Sequence, residues 1–489
     1  MIREKRFWLY AGAALVAGLL LRLWFIAHLA VIQGDSLVYG TIARNWLQTG
    51  VYGFGHQTTA AGLTIVRPTL IRLPGYPIFL AICFRLFGME NYRAVLYVQA
   101  AADLLTCWQA AALAGRLFGK RALLPVLWLA ALCPFTANYV AAPLTETLVL
   151  TTIALAFYAF ARWQDAGLGL NTWLWVVAFT LAYSLLLRPD QGLLAAAILP
   201  AMLWRSLATR KPSRSPFAAA LPIIAAALCV ILTLIPWTVR NWSTFHVFQP
   251  LAPRYANDPG EPPPLGFARW YRSWAFEFAS TDEVYWNYNG DQIQLTALPP
   301  RAFDLGSPAA SADLRDRTAA LLADYNATTT VTPAIDARFA ALAAERFHAH
   351  PVLCYLGLPI ARLLDMVLRP RIEMMPIPDE WWRWTQHPAQ TAFSAAYALL
   401  NLACVALGCA GFYLWRRRSR LPSPSHSPAY PELILAMAAS LLLRCALLLT
   451  LDNAEPRYTL EFFPILFIWA GALFASNRQS GPSVAPQRR

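Results

Sequence analysis

Long apolar segments dominate this 489-residue sequence and restrict what it can fold into. Runs of about 20 mainly apolar residues are long enough to cross the hydrocarbon core of a bilayer as helices. Only 14% of the residues are charged, whereas soluble domains carry about 25%. The mean hydropathy is +0.41. The sequence therefore predicts an all-α polytopic membrane protein.

Ten apolar segments are candidate membrane spans. They cover residues 7–30, 93–115, 122–142, 145–161, 172–187, 191–204, 217–239, 391–415, 431–450 and 458–475. We interpret the first as a retained transmembrane helix, because it is long, contains Arg22 and lacks the small-residue cleavage site of a signal peptide. We therefore expect a bundle of about ten transmembrane helices.

Basic residues indicate which helix ends face the cytoplasm. Dense basic clusters lie at residues 116–121, 205–214 and 416–420, and both termini are basic. The positive-inside rule places the clusters and both termini in the cytoplasm, and ten spans satisfy all of them at once. The net charge of +13 thus follows membrane topology, which argues against nucleic acid as a partner.

This topology divides the chain into four regions. Residues 1–240 form a transmembrane module, which includes a first extracytoplasmic loop at 31–92. Residues 241–350 form a large extracytoplasmic loop domain, expected to be α-rich or mixed, with twelve acidic and eight basic residues. Residues 351–390 form an interfacial amphipathic segment, and residues 391–489 carry the C-terminal transmembrane helices.

Residues 351–369 are apolar enough to span, but spanning would reverse the orientation of the basic cluster that follows. Arg362, Asp365 and a central Pro359 favour a helix lying on the outer membrane surface. The segment Pro74–Gly88 is also too short to span comfortably. Residues 419–430 are rich in Ser and Pro and predict a flexible cytoplasmic linker.

The stretch G-D-S-L-V-Y-G-T-I-A-R-N-W-L-Q-T-G begins where the first apolar run ends. Asp35 precedes apolar residues at helical spacing and Gly50 follows them, so the simplest interpretation of Asp35 is a helix N-cap. The alternative is a catalytic carboxylate. The two roles are compatible, because a cap position fixes a carboxylate in space.

Further charged residues are expected at the same outer surface as Asp35. They come from distant parts of the chain: Arg67, Arg72, Glu146, Arg188, Asp190, Arg240, Glu455 and Arg457. Taken singly, each arginine is better explained as an anchor for a helix end among lipid headgroups. Taken together, they predict an acid/base group that faces an anion.

Two charged residues fall inside predicted spans, where an unpaired charge is unfavourable. Asp103 lies in the middle of its segment, so we expect a cation partner or a polar cavity there. Arg444 lies toward the outer end of its segment and could extend its guanidinium to the interface. Both are weaker site candidates than Asp35.

Several motifs together resemble a known family. The stretch from Gly34, followed by R-L-P-G-Y-P-I-F-L-A, resembles the first outer loop of GT-C superfamily glycosyltransferases, in the branch similar to protein mannosyltransferases and aminoarabinose transferases. P-L-T-E-T-L and I-P-W-T-V-R-N-W resemble recurring patterns of bacterial members. Ser36 departs from this branch, in which a second carboxylate commonly follows the Asp.

The resemblance implies a bacterial inner-membrane enzyme that transfers a sugar from a polyprenyl-phosphate donor to an acceptor hydroxyl, with inversion. It implies Asp35 as the general base, with Glu146 as the alternative carboxylate, and donor phosphate binding by Arg72, Arg188, Arg240 or Arg457. Aromatic residues expected to bind the sugar or acceptor are Tyr39, Tyr76, Trp270 and Trp274. A divalent metal, and a lipid, glycan or protein as acceptor, stay open.

Two other function classes are weighed against this one. A flippase or transporter of lipid-linked saccharides would use the same arginines, but no internal repeat is visible and it needs no large outer loop. A structural partner in a cell-envelope complex would explain the loop. It would not explain the gathered charges.

Overall fold

The computed structural model describes residues 2–58, 62–210, 212, 215–419 and 430–475. Most of the predicted 419–430 linker and the basic residues Arg478, Arg488 and Arg489 lie outside these ranges. The chain is a multi-pass helical membrane protein. One short hairpin is the only strand pair in the described ranges.

Eleven helices make up the N-terminal half. They are α1 (Ile2–His28), α2 (Asp35–Thr49), α3 (Gly75–Phe87), α4 (Tyr92–Phe118), α5 (Lys120–Ala131), α6 (Pro134–Tyr139), α7 (Glu146–Asp165), α8 (Thr172–Leu187), α9 (Gly192–Ala208), α10 (Pro216–Leu232) and α11 (Ile235–Phe245). Local sequence sets several of these boundaries. Asn91, Asn171 and Ser215 cap the starts of α4, α8 and α10 with side-chain acceptors.

The first loop packs against the bundle through α2, α3 and a β-hairpin. Strand β1 (Gly53–Thr58) pairs antiparallel with β2 (Thr64–Pro68), with His56 opposite Val66. Helix α3 lies very close to the end of α8, because a Cβ on Gly75 would come within 2.5 Å of the Leu186 backbone. This contact holds the first loop beside Arg188.

The large loop folds around its own aromatic core. Its helices are α12 (Leu265–Arg272), α13 (Phe278–Ser280), α14 (Pro308–Asn326) and α15 (Pro333–Ala349), and a π-helical turn covers Thr281–Tyr285. Phe267, Trp270, Trp274, Tyr325 and Phe339 are buried in this core. We call the end of the bundle that carries the first loop and this large loop the loop face.

The chain then returns to the bundle through α16 (Leu358–Leu368), α17 (Pro388–Ser419), α18 (Pro431–Leu448) and α19 (Phe462–Ala470). Helix α19 packs against α4 and α17, and α18 packs against α9. Short 3-10 turns at Pro189–Gln191 and Pro456–Thr459 precede α9 and α19 at the loop face. These two turns carry charged residues of the candidate site.

All ten predicted spans coincide with helical segments, but fewer meet a length and hydropathy test for spans. Six do so within the described residues: Glu4–His28, Pro189–Ala208, Pro216–Phe245, Pro388–Ser419, Pro431–Leu448 and Pro456–Phe474. A seventh arises if the bent pair Pro333–Ala349 and Leu353–Leu368 is counted as one span. The number ten therefore stays a prediction.

This bent pair includes the segment that we interpret as interfacial. The two helices meet at an angle of 106°. The second buries Leu358, Arg362 and Met366 against the protein, and Leu356 and Ile360 on its other side are exposed. The buried Arg362 guanidinium donates to the carbonyl oxygens of Arg272 and Ala275, so it ties this helix to the large loop.

Asp103 has the cation partner that the sequence predicts for a charge at membrane depth. Arg22 on α1 donates to the Asp103 carboxylate on α4 from Nε at 2.8 Å and from Nη2. Its Nη1 donates to the carbonyl oxygens of Gly18 and Ala131. Both charged side chains are fully buried, so this pair links α1, α4 and α5.

We predict that replacing one member of this pair destabilises the protein more than replacing both. Arg22→Met leaves the Asp103 carboxylate buried and unpaired, which costs about 3–5 kcal/mol. The double change Arg22→Met with Asp103→Leu should recover much of that loss, as a thermal unfolding series in detergent would show. Arg44→Met, which removes the exposed pair with Glu90, is the control and should cost about 1 kcal/mol or less. Equal losses for single and double variants would contradict the prediction.

Candidate functional site

A cavity of about 1250 Å³ lies at the loop face, between the helical bundle and the large loop. Its wall combines the first loop, the start of α7, the turn before α9, the large loop and the turn before α19. Its charged lining residues are Arg67, Arg72, Arg188, Arg254, Arg444, Arg457, Asp35, Glu146, Asp190, Glu261, Asp452 and Glu455. Six arginines thus face six carboxylates, and the lining is electrically balanced.

Asp35 is the first residue of α2, and the N-cap position belongs to Gly34. The prediction that Asp35 caps this helix is therefore wrong. Gly34 adopts a φ of 53°, a left-handed conformation that glycine tolerates best, and no side chain caps this helix. The Asp35 carboxylate is free to point toward the cavity, because it makes no bond to its own helix end.

Two guanidinium groups bracket the Asp35 carboxylate. Arg72 Nη2 donates to Oδ1 at 2.7 Å, and Arg457 Nη2 lies 3.1 Å from Oδ2. Burial by itself would raise the pKa of Asp35, but the positive charges of Arg457 and Arg72 lower it well below its usual value. Asp35 is therefore ionised at neutral pH and held between two cations.

Glu146 begins α7 and is almost fully buried beside one of these cations, Arg457, and beside Arg188. Its Oε1 lies 3.5 Å from Arg188 Nη1 and 3.9 Å from Arg457 Nε. Arg457 also pairs with Glu455. The two candidate carboxylates, Asp35 and Glu146, therefore share Arg457 as a common neighbour.

Arg371 holds the turn that carries Arg457 in place through hydrogen bonds. The Arg371 guanidinium is buried and donates to the carbonyl oxygen of Pro456 at 2.9 Å and to the Thr459 hydroxyl at 2.5 Å. Thr459 in turn donates to the carbonyl oxygen of Met366. These bonds hold the Pro456–Thr459 turn against the segment that follows α16.

The line of ion pairs continues from Arg188 into the bundle. Arg188 pairs with Asp190 at 3.1 Å, Asp190 pairs with Arg444, and Arg444 Nη2 lies 2.7 Å from Glu461. Arg444 is buried, so the structure contradicts the prediction that its guanidinium reaches the interface. Glu461 is not among the site residues predicted from the sequence. A carboxylate at the start of an apolar segment is the signal that would have identified it.

Arg240 is the one predicted phosphate-binding arginine that does not line the cavity. Its guanidinium donates to the carbonyl oxygens of Thr69 and Tyr52 at 2.8 and 2.7 Å. It also stacks on the rings of Trp237 and Phe245. These contacts fasten the first loop to α11 and leave Arg240 apart from the Asp35 cluster.

The predicted aromatic residues divide into two groups. Tyr39 lines the cavity next to Arg72, whose guanidinium lies 5.7 Å from the ring centre. Burial raises the pKa of Tyr39 to about 12, so its phenol stays protonated. Tyr76 is fully buried and donates to Gln99, and Trp270 and Trp274 are buried in the large-loop core. These three do not reach the cavity, because packing takes up their rings.

The residues around Asp35 do not fit a divalent metal site. Within the described ranges, no group of three or more His, Cys, Asp or Glu side chains is arranged to hold a metal ion. Asp35 instead faces two guanidinium groups, and the next residue, Ser36, is buried.

Comparison with known proteins finds a family model that matches part of the chain. A family model described as dolichyl-phosphate-mannose-protein mannosyltransferase matches residues 66–237. The matched segment includes the cavity residues Arg72, Glu146 and Arg188. No curated protein matches the sequence.

Among solved structures, the Archaeoglobus fulgidus oligosaccharyltransferase tethered with an acceptor peptide is similar to this chain at 12% identity and a TM-score of 0.47. The match covers 97% of this chain and 50% of the archaeal protein, so this chain spans about half its length. ArnT from Cupriavidus metallidurans bound to undecaprenyl phosphate matches at 14% identity and a TM-score of 0.36, covering 96% of this chain and 77% of ArnT.

The family match coincides with the segment that contributes five charged residues to the cavity: Arg67, Arg72, Glu146, Arg188 and Asp190. The match agrees with the resemblance predicted from the sequence motifs over residues 66–237. The match covers about a third of the chain, and over that part the sequence is similar to the mannosyltransferase family.

Proposed function

We propose that this protein transfers a sugar from a polyprenyl-phosphate donor to an acceptor hydroxyl, with inversion at the anomeric carbon and Asp35 as the general base. The observation that carries the proposal is the position of Asp35, at the wall of the cavity and between Arg72 and Arg457. A carboxylate beside two guanidinium groups supplies both a proton acceptor and a binding site for a phosphate.

The proposed reaction is a single displacement. The acceptor oxygen forms a bond to the anomeric carbon while the bond from that carbon to the phosphate oxygen breaks, and its electron pair leaves with the phosphate. The acceptor proton passes to Asp35. Arg72 and Arg457 stabilise the negative charge that develops on the departing phosphate. Arg188 supports them from the side of Glu146.

The donor's lipid has a suitable route to this position. Leu193 on α9 and Leu447, Leu448 and Leu451 at the end of α18 line the same cavity as the arginines. An isoprenoid tail along these residues would keep its phosphate at the loop face. We expect this face to lie outside the cytoplasmic membrane of a bacterium, with both termini in the cytoplasm.

Charge balance in the cavity adds a constraint to this mechanism. Because six arginines already face six carboxylates, an arriving phosphate gains its full contacts only by replacing a carboxylate. Asp35 is the carboxylate that holds Arg72 and Arg457 together, so the phosphate competes with it directly. Once replaced, Asp35 loses the cations that lower its pKa and becomes a better base.

We predict that Asp35→Asn lowers transfer by about 10²–10⁴-fold, the usual contribution of a general base. The assay follows radiolabelled sugar from a polyprenyl-phosphate donor in purified, folded protein. Glu90→Gln, which alters an exposed ion pair on the same loop face, should transfer like the wild type. If Asp35→Asn keeps full activity and Glu146→Gln loses it, Asp35 is not the general base and Glu146 is.

Competition between Asp35 and the phosphate leads to a second prediction. Asp35→Asn should bind undecaprenyl phosphate about tenfold more tightly than the wild type, because the two guanidinium groups no longer pair with a carboxylate. Titration of detergent-solubilised protein with the lipid measures this directly, and Glu90→Gln again serves as the control. Unchanged or weaker binding by Asp35→Asn would show that the phosphate does not displace Asp35.

A further inference from the structure

On the side of the large loop, the cavity wall contains an aromatic residue whose ring is exposed rather than packed in the loop's core. Trp286 lines the cavity, and 47% of its surface is exposed. Trp270 and Trp274 of the same loop are 1% and 0% exposed, because they pack in its core. Trp286 therefore presents a large apolar ring to the cavity rather than to the core.

The Trp286 ring is also held in one orientation. Its indole Nε1 donates to Glu455 Oε1 at 3.4 Å, and its ring meets Phe278 edge to face at 5.4 Å between centres. The same Glu455 oxygen accepts a hydrogen bond from Asn453 at 2.8 Å. An exposed ring that is fixed by a hydrogen bond and a ring contact loses little conformational freedom when a ligand covers it.

Glu455 connects this ring to the proposed reaction centre. It pairs with Arg457, and Arg457 pairs with Asp35. A molecule lying on Trp286 is therefore separated from the general base by two side chains. With the donor tail along the cavity-lining leucines of α9 and α18, as proposed above, the wall that carries Trp286 is left for the acceptor.

Polar groups surround the ring without adding net charge. Tyr285 and Asn289 also line the cavity beside Trp286. Burial, together with the nearby carboxylate of Asp452, raises the pKa of Tyr285, so its phenol stays protonated and can donate a hydrogen bond. Tyr285 and Asn289 are uncharged, and Glu455 is already paired with Arg457, so the groups beside the ring offer hydrogen bonds rather than a net charge.

We propose that Trp286 is the platform of an acceptor subsite that binds a neutral saccharide. This inference rests on the proposed transfer reaction and names the acceptor class. The apolar face of a pyranose ring would lie on the indole, and its hydroxyl groups would bond to Tyr285 and Asn289. An aromatic ring with hydrogen-bonding neighbours matches the alternating apolar faces and hydroxyl rim of a sugar.

The experiment uses the full chain in lipid nanodiscs and a neutral octyl glucoside that carries a photoreactive diazirine. We expect light-induced labelling of the segment around residues 281–289, mapped by mass spectrometry. Trp286→Ala should require a roughly five- to tenfold higher probe concentration for half-maximal labelling. Trp286→Phe should label more strongly than Trp286→Ala, because it keeps an aromatic face.

Trp382→Ala is the matched control, because Trp382 is also 47% exposed but does not line the cavity. It should label like the wild type. Unchanged labelling in Trp286→Ala would overturn the proposal. So would preferential labelling of this segment by a diazirine-bearing Ser/Thr peptide, which would indicate a protein acceptor.

Binding of undecaprenyl phosphate, measured on the same preparation, separates the two proposals. If lipid phosphate does not bind but Trp286-dependent labelling persists, the transfer reaction is contradicted and the saccharide subsite stands. If lipid phosphate binds and labelling does not depend on Trp286, the subsite is contradicted and the transfer reaction stands.

Discussion

The ion pairs of Asp35 with Arg72 and Arg457 are the interaction on which the site depends. They join the first loop to the turn before α19, two segments that are more than 380 residues apart in sequence. These side chains are only 22–28% exposed, so each charge has lost much of its contact with water and needs an oppositely charged partner. The arrangement therefore fixes the mutual position of the elements that form the cavity.

From these pairs a line of alternating charges runs through the site. Arg457 contacts Glu146, Glu146 contacts Arg188, Arg188 contacts Asp190, and Asp190 contacts Arg444. Arg457, Arg188 and Arg444 thus each have carboxylates on two sides. In the free protein the arginines are therefore already neutralised by carboxylates. A phosphate can bind them fully only by replacing one of these carboxylates.

Much of the architecture could be predicted from the sequence. Apolar length predicts the helices, and charges at the ends of distant segments predict that Asp35, Glu146, Arg72, Arg188 and Arg457 lie together. Motif resemblance adds a likeness to GT-C glycosyltransferases, with which the family match over residues 66–237 agrees. These features are local in the sequence, or follow from the rule that charges at a membrane surface need partners.

Other features depend on tertiary packing, which the spacing of residues along the sequence does not encode. The first-turn position of Asp35 follows from the positive φ of Gly34, and the separate position of Arg240 follows from backbone carbonyls of the first loop. Which tryptophan of the large loop faces the cavity depends on how that loop folds: Trp270 and Trp274 fill its core, whereas Trp286 is left at the wall.

The most direct measurement of the central claim is an experimental structure of the protein with undecaprenyl phosphate. We expect the phosphate within hydrogen-bonding distance of the Arg72 and Arg457 guanidinium groups, with the Asp35 carboxylate displaced from at least one of them. A phosphate bound elsewhere, with both Asp35 ion pairs intact, would contradict it.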